Sequence, residues 1–122
     1  MANKANPKDI LGINARNSLY VSRNSRKAKA IAHSKYATKI LLNENNIPCA
    51  EIYGILGTDE DVNDFAWQKL EGNFVIKPTN GHAGTGVIAF RNKINDEHWL
   101  DVLGEKWSVD DIKLHCRDIL AG

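Results

Sequence analysis

The chain has 122 residues, of which 43% are hydrophobic and 25% charged, and its formal net charge is +1. That length is enough for one globular domain with a modest core, or for part of a larger domain. No apolar run approaches the roughly 20 residues of a transmembrane helix and the N-terminus lacks a signal-peptide core, so we expect a cytoplasmic protein without membrane partners.

Basic residues are concentrated in the first third of the chain. Residues 1–40 contain nine Lys and Arg residues and one acid, whereas the remainder contains seven basic residues and fourteen acids. The two parts therefore carry formal charges near +8 and −7. This asymmetry fits binding to a nucleic acid, attraction of an anionic nucleotide or substrate to one face, or a solvated helical surface.

The first residues give weak signals. Residues 1–6 are polar and predicted to be disordered. Pro7 suits the first turn of a short helix that stops near Gly12. Residues 13–17 interrupt any clean helical period, so no helix is predicted there.

Two helices follow, each with a serine at its predicted N-cap. Ser25 precedes a helix over residues 26–33, and Ser34 precedes a helix from Lys35 to about Asn45. In the second helix, three apolar side chains recur at helical spacing and are predicted to face the core. They are Tyr36, Ile40 and Leu41.

The middle of the chain predicts a strand and a helix. Residues 51–56 are predicted to form a short strand. Thr58 or Asp59 is the expected N-cap of a helix from Glu60 to about Leu70, which Gly72 ends.

The most informative segment, residues 73–91, reads N-F-V-I-K-P-T-N-G-H-A-G-T-G-V-I-A-F-R. Two runs of β-forming residues flank a glycine-rich loop, which predicts strand, loop and strand. No Gly-Lys pair opens a helix, so a P-loop is excluded, and the glycine spacing is not that of a dinucleotide fold. A glycine loop lets backbone N–H groups approach an anion closely, and Lys77 lies beside it. An ordinary β-hairpin with a surface lysine is the alternative interpretation.

Residues 92–122 show signals of turns and a helix and no candidate site. A turn is predicted at Asn92–Lys93, and residues 108–111 form a capping box for a helix whose buried stripe includes Ile112 and Cys116, with Ile119 and Leu120. His115 is predicted to be a surface or partly buried residue without a partner. The spacing of Cys49 and Cys116 is not that of a metal site, so both are predicted to be free, buried or half-buried thiols.

The segment F-V-I-K-P-x-x-G-x-x-G-x-G-V resembles the nucleotide-binding core of ATP-grasp enzymes. The resemblance is greatest to the α-L-glutamate ligase-like branch, related to the sugar-transfer-associated ATP-grasp proteins, and spans roughly residues 7–91 in collinear order. In that family a strand lysine contacts the nucleotide and the glycine loop closes over the triphosphate. Lys35 matches a second lysine, which touches the phosphates, although Ser34 stands where the family often has aspartate.

The resemblance implies a set of ATP-binding residues on the helix, the strand and the loop. They are Lys35, Lys77, Gly81, His82, Ala83, Gly84, Thr85 and Gly86. His82 and Thr85 are expected to donate to phosphate oxygens. ATP and Mg²⁺ are the implied cofactors, and an unidentified carboxylate and amine are the substrates of an acyl-phosphate mechanism.

The predicted fold class is α/β or α+β. Residues 1–33 are expected to be a basic helical segment, and residues 34–122 the small first lobe of an ATP-grasp fold. In the family the Mg²⁺ ligands come from a second lobe, whereas the late acids of this sequence are interpreted as helix surface and caps. These acids are Asp96, Glu97, Asp101, Asp110 and Asp111.

We therefore expect an N-terminal fragment of a carboxylate–amine ligase, inactive alone. Its partner is expected to be a missing C-terminal lobe or a second copy that covers an exposed face. The alternative function is a small module that binds RNA or another polyanion through the basic first third.

Overall fold

The computed structural model describes residues 12–81 and 83–122, apart from the side chains of Arg16, Asn17 and Val21. The predictions for residues 1–11 and for His82 lie outside the described residues. The architecture is mixed α+β, which confirms the predicted fold class. In chain order the elements are α1 (Ile13–Val21), α2 (Arg26–His33), α3 (Lys35–Glu44), α4 (Asp59–Asp64), a 3₁₀ turn (Trp67–Lys69), β1 (Phe74–Ile76), β2 (Ile88–Asn95), β3 (His98–Asp101), β4 (Lys106–Ser108) and α5 (Val109–Ala121).

The two predicted helices α2 and α3 are present with their predicted caps. The hydroxyls of Ser25 and Ser34 each accept a hydrogen bond of 3.1 Å from the backbone N–H three residues further on. Thr38 Oγ1 donates to the carbonyl of Ile31 at 2.8 Å and joins the two helices. Asn46 ends α3 with a positive φ of 56°, as the sequence indicated.

The prediction that three apolar side chains of α3 face the core is wrong. Tyr36, Ile40 and Leu41 are each about two-fifths exposed. Helical period identifies the apolar face of a helix, but it does not say which element covers that face. Here α3 packs on α2 and does not reach the sheet. A second correction concerns residues 13–17, which were predicted to form no helix but belong to α1 although they show no clean apolar period.

The four strands form an antiparallel meander in the order β1-β2-β3-β4. β1 and β2 pair with Phe74 opposite Phe90 and Ile76 opposite Ile88, which confirms strand, glycine loop and strand. The turn predicted at residues 92–93 is wrong, because both residues belong to β2, which is irregular there. The chain turns instead after Asn95, whose side-chain oxygen accepts from the Glu97 backbone at 2.9 Å.

Residues 51–56 are extended but form no strand, and the predicted helix over residues 60–70 is too long. Thr58 provides a capping box for α4, but the helix ends at Asp64 because Phe65 is extended. Phe65 thereby brings its ring 4.7 Å from the ring of Trp67, whose Nε1 donates to the Val62 carbonyl. A Cβ added to Gly54 would lie 2.5 Å from a carbon of the Phe65 ring. The extended segment therefore rests directly on that ring.

The core lies between the sheet, α4 and α5. Phe74 and Phe90 stack at 4.6 Å, and Trp99 and Trp107 meet them edge-on at 6.1 and 6.0 Å. The buried apolar residues are Val62, Trp67, Leu70, Phe74, Phe90, Trp99, Ile112 and Cys116.

Asp101 is buried at the end of β3 and organises the turn to β4. Its Oδ1 accepts from the backbone N–H groups of Leu103 and Glu105 at 2.9 and 2.8 Å, and its Oδ2 accepts from Trp107 Nε1 at 3.1 Å. The interpretation of this acid as helix surface or cap is therefore wrong. Burial raises the pKa of Asp101, but the hydrogen bonds from Glu105, Trp107, Leu103 and Gly104 outweigh it and hold that pKa below 3.8.

We predict that Asp101 makes the fold sensitive to acid. Because its pKa is lower in the folded than in the unfolded chain, its contribution to stability is complete above about pH 4 and is lost as the pH falls through the lower folded value. Asp101→Asn is expected to lower Tm by several degrees at pH 7 and to flatten the decline of Tm below pH 4. Thermal unfolding from pH 2 to pH 7 tests this, with the exposed Asp64→Asn as control. Parallel Tm curves for wild type and Asp101→Asn would contradict the prediction.

Candidate functional site

A cleft of about 790 Å³ opens beside β1. One wall is β1 with the residues that follow it, the opposite wall is the extended segment 50–56, and the start of α3 closes one end. The floor is apolar and includes Phe65, Trp67 and Cys116. An apolar cleft with a few convergent polar groups is the usual form of a small-molecule site.

Lys35 and Lys77 line this same cleft, although they lie far apart in the sequence. A backbone hydrogen bond brings them together. The N–H of Lys35 donates to the Thr79 carbonyl at 2.9 Å and joins the start of α3 to the residues after β1. Within the described part of the chain, neither ammonium group has an ion-pair partner. Two uncompensated cations at one cleft favour an anionic ligand.

A third lysine, Lys39, lines the cleft one helical turn after Lys35. Its Nζ donates to the Ala50 carbonyl at 2.8 Å and so ties the extended wall to α3. Sequence analysis did not select Lys39 as a site residue. Its spacing of four residues from Lys35 was the available signal.

The glycine loop follows the residues at the cleft edge. Pro78, Thr79 and Asn80 line the cleft, whereas residue 81 and residues 83–86 do not. Gly84 and Gly86 have φ values of 75° and 76°, in the left-handed region that favours glycine. The Val87 N–H donates to the Gly84 carbonyl at 3.1 Å and closes the turn. The structure thus joins the loop to the edge of the cleft but does not place it over the lysines.

His115 has a partner, contrary to the sequence prediction. Its Nε2 donates to the Gly86 carbonyl at 2.9 Å, and its ring meets the Trp107 ring edge-on at 6.0 Å. The two bonded residues are distant in sequence and belong to different elements, so no local pattern indicated the contact.

Both cysteines are free, as predicted. Cys116 is buried at the floor of the cleft, and burial raises its thiol pKa to about 11, an effect that the charge of Arg117 partly offsets. Cys49 is half-buried, and its thiol donates to Asn43 Oδ1 at 3.2 Å.

Across residues 12–81 and 83–122, no group of three or more His, Cys, Asp or Glu side chains is arranged to hold a metal ion. In the same residues, every helix is too short or too polar to cross a membrane.

We predict that Cys116 resists alkylation in the folded protein. With a pKa of about 11 its thiolate fraction at pH 8 is about one in a thousand, and its side chain is buried. In iodoacetamide time courses read by mass spectrometry, Cys49 is expected to react first and Cys116 only after denaturation. The Cys49→Ser variant isolates the Cys116 rate. Equal rates for Cys116 in the native and the denatured protein would contradict the prediction.

Comparison with known proteins identifies the family. A family model described as sugar-transfer associated ATP-grasp matches residues 14–122. Neither the curated proteins nor the solved structures contain a match to the chain. The matched region includes α3, β1, the glycine loop and α5, and membership supports ATP binding and ligase-like chemistry in general. The chain therefore belongs to the sugar-transfer associated ATP-grasp family.

Proposed function

We propose that this chain supplies the phosphate-binding part of a cytoplasmic, ATP-dependent carboxylate–amine ligase of the α-L-glutamate ligase-like type. The observation that carries the proposal is the convergence of Lys35 and Lys77 on one cleft, in a chain that belongs to an ATP-grasp family. Charged donors aimed at a polyphosphate give electrostatic stabilisation that is greatest where water is excluded.

Each part of the site has a distinct role in this proposal. Lys35 and Lys77 neutralise the charge of the ATP phosphates. The apolar floor of the cleft contacts the uncharged part of ATP. Bound ATP supplies the phosphoryl group that activates a carboxylate as an acyl phosphate, which an amine then attacks.

The glycine loop is proposed to close over the phosphates and exclude water. Its glycines allow backbone N–H groups to approach phosphate oxygens closely, because no Cβ intervenes. The proposed contacts come from the loop residues Gly81, His82, Ala83, Gly84, Thr85 and Gly86.

Mg²⁺ is part of the chemistry that the family implies, and it prefers oxygen ligands in near-octahedral geometry. Among residues 12–81 and 83–122, no group of three or more His, Cys, Asp or Glu side chains could hold a metal ion. We therefore assign no Mg²⁺ ligand among these residues. The proposed function rests instead on the phosphate contacts of Lys35 and Lys77.

We predict that Lys35→Ala and Lys77→Ala each weaken ATP binding about tenfold or more, because a hydrogen bond to a charged group contributes roughly 1.5–3 kcal/mol. Isothermal titration calorimetry of the 122-residue chain with ATP measures the effect. Lys106→Ala removes the same charge from an exposed position on β4 outside the cleft and is the matched control. Equal ATP affinity in wild type and both cleft variants would contradict the proposal.

A second candidate function is binding of RNA or another polyanion. The observation that favours it is the exposure of the basic side chains around α2, namely Arg23, Arg26, Lys27 and Lys29. Such binding weakens steeply with salt and is insensitive to sequence. RNA affinity that falls steeply with salt and is unchanged in Lys77→Ala, together with no ATP binding, would favour this candidate over the ligase.

We further propose that, in the absence of a ligand, a second copy of the chain covers exposed apolar side chains that line the cleft. Tyr53, Ile55 and Val75 are each about half exposed, and β1 is an edge strand. Exposed apolar groups at a sheet edge favour association.

Light scattering over a concentration series is expected to show a rising mass for wild type and a smaller rise for Val75→Lys. Leu103→Lys, at an exposed position in the turn between β3 and β4, is the control. A constant monomer mass at all concentrations would contradict self-association.

A further inference from the structure

The base of the glycine loop is held by a contact that we call the loop anchor, made of His115, Ile119, Pro78 and Gly86. His115 Nε2 donates to the Gly86 carbonyl at 2.9 Å. A Cβ added to Gly86 would lie 3.4 Å from Ile119 Cγ1 and 3.5 Å from Pro78 Cδ. The end of the loop therefore combines a directed hydrogen bond with close apolar packing.

The loop anchor lies at the edge of the lysine-lined cleft. Pro78 and Ile119, the side chains nearest to the position a Cβ on Gly86 would take, both line that cleft. At the other end of the loop, a Cβ on Gly81 would lie 3.4 Å from Pro78 Cγ. Both ends of the loop thus lie near Pro78, the residue that follows Lys77.

His115 itself is on a rigid element. α5 begins with a capping box between Ser108 and Asp111, and its residues Ile112 and Cys116 are buried in the core. The His115 ring also packs edge-on against Trp107. A donor on such an element fixes the position of the carbonyl that it binds.

We infer that His115 is a positioning residue for nucleotide binding, acting through the Gly86 carbonyl to hold the base of the glycine loop at the cleft edge. The inference rests on the proposed function, in which the loop covers the phosphates. Ordering a glycine-rich loop on a ligand is costly in conformational entropy. Fixing one end beforehand reduces that cost and increases affinity.

Nucleotide titrations with His115→Ala, His115→Gln and Leu114→Ala test the inference. His115→Ala is expected to weaken ATP binding about three- to tenfold, the effect of one hydrogen bond. AMP affinity is expected to stay nearly unchanged, because AMP lacks the β- and γ-phosphates that the loop is proposed to cover. Glutamine retains an N–H donor and should restore part of the ATP affinity, whereas Leu114→Ala, at an exposed neighbouring position of α5, should have no effect.

Amide hydrogen exchange without nucleotide gives a second, independent measurement. The Val87 N–H, bonded within the loop turn, is expected to exchange faster in His115→Ala than in wild type or Leu114→Ala. Unchanged exchange at Val87 would overturn the inference. An equal loss of ATP and AMP affinity would also overturn it, because it would indicate a general structural defect.

These measurements distinguish failure of the proposed ATP-binding function from failure of the role of His115. If Lys77→Ala loses ATP affinity and His115→Ala does not, only the role of His115 is overturned. If wild type binds no ATP, the proposed function and the role of His115 are both overturned.

Discussion

The rings of Phe74 and Phe90 stack across the two strands that flank the glycine loop. Their contact favours the observed register of β1 and β2, because a one-residue shift of either strand would turn its own ring to the other face of the sheet. Trp99 and Trp107 pack edge-on against this pair, and α5 covers it with Ile112 and Cys116. The start and the end of the loop, and the helix that anchors it, are therefore positioned by one aromatic cluster.

The cluster also helps to hold in place the two lysines on which the proposed phosphate site depends. Lys77 follows the stacked strand directly, and Lys35 is brought to it by a single backbone hydrogen bond to Thr79. The buried aromatic side chains make this part of the fold rigid. The ammonium groups of Lys35 and Lys77 have no ion-pair partner among the described residues. Preorganisation of this kind reduces the cost of binding an anion.

Features encoded by neighbouring residues could be predicted from the sequence. The caps Ser25, Ser34 and Thr58 and the strand–loop–strand segment depend on local backbone chemistry, and the structure contains them. Features set by distant contacts could not be predicted. The α3 stripe lacks a covering element, α4 ends where Phe65 turns to Trp67, and His115 finds its acceptor across the fold. Lys77 was indicated by its position beside the glycine loop and Lys35 by family resemblance, whereas Lys39 was recognised from the geometry of the cleft.

Gly54 and Phe65 set the width of the cleft in a simple way. A Cβ on Gly54 would overlap the Phe65 ring, so this wall of the cleft lies directly against a ring of the floor. A side chain at position 54 can be accommodated only if the residue at position 65 becomes smaller or moves. The two positions therefore behave as one unit, in which the size of the side chain at one position limits the size allowed at the other.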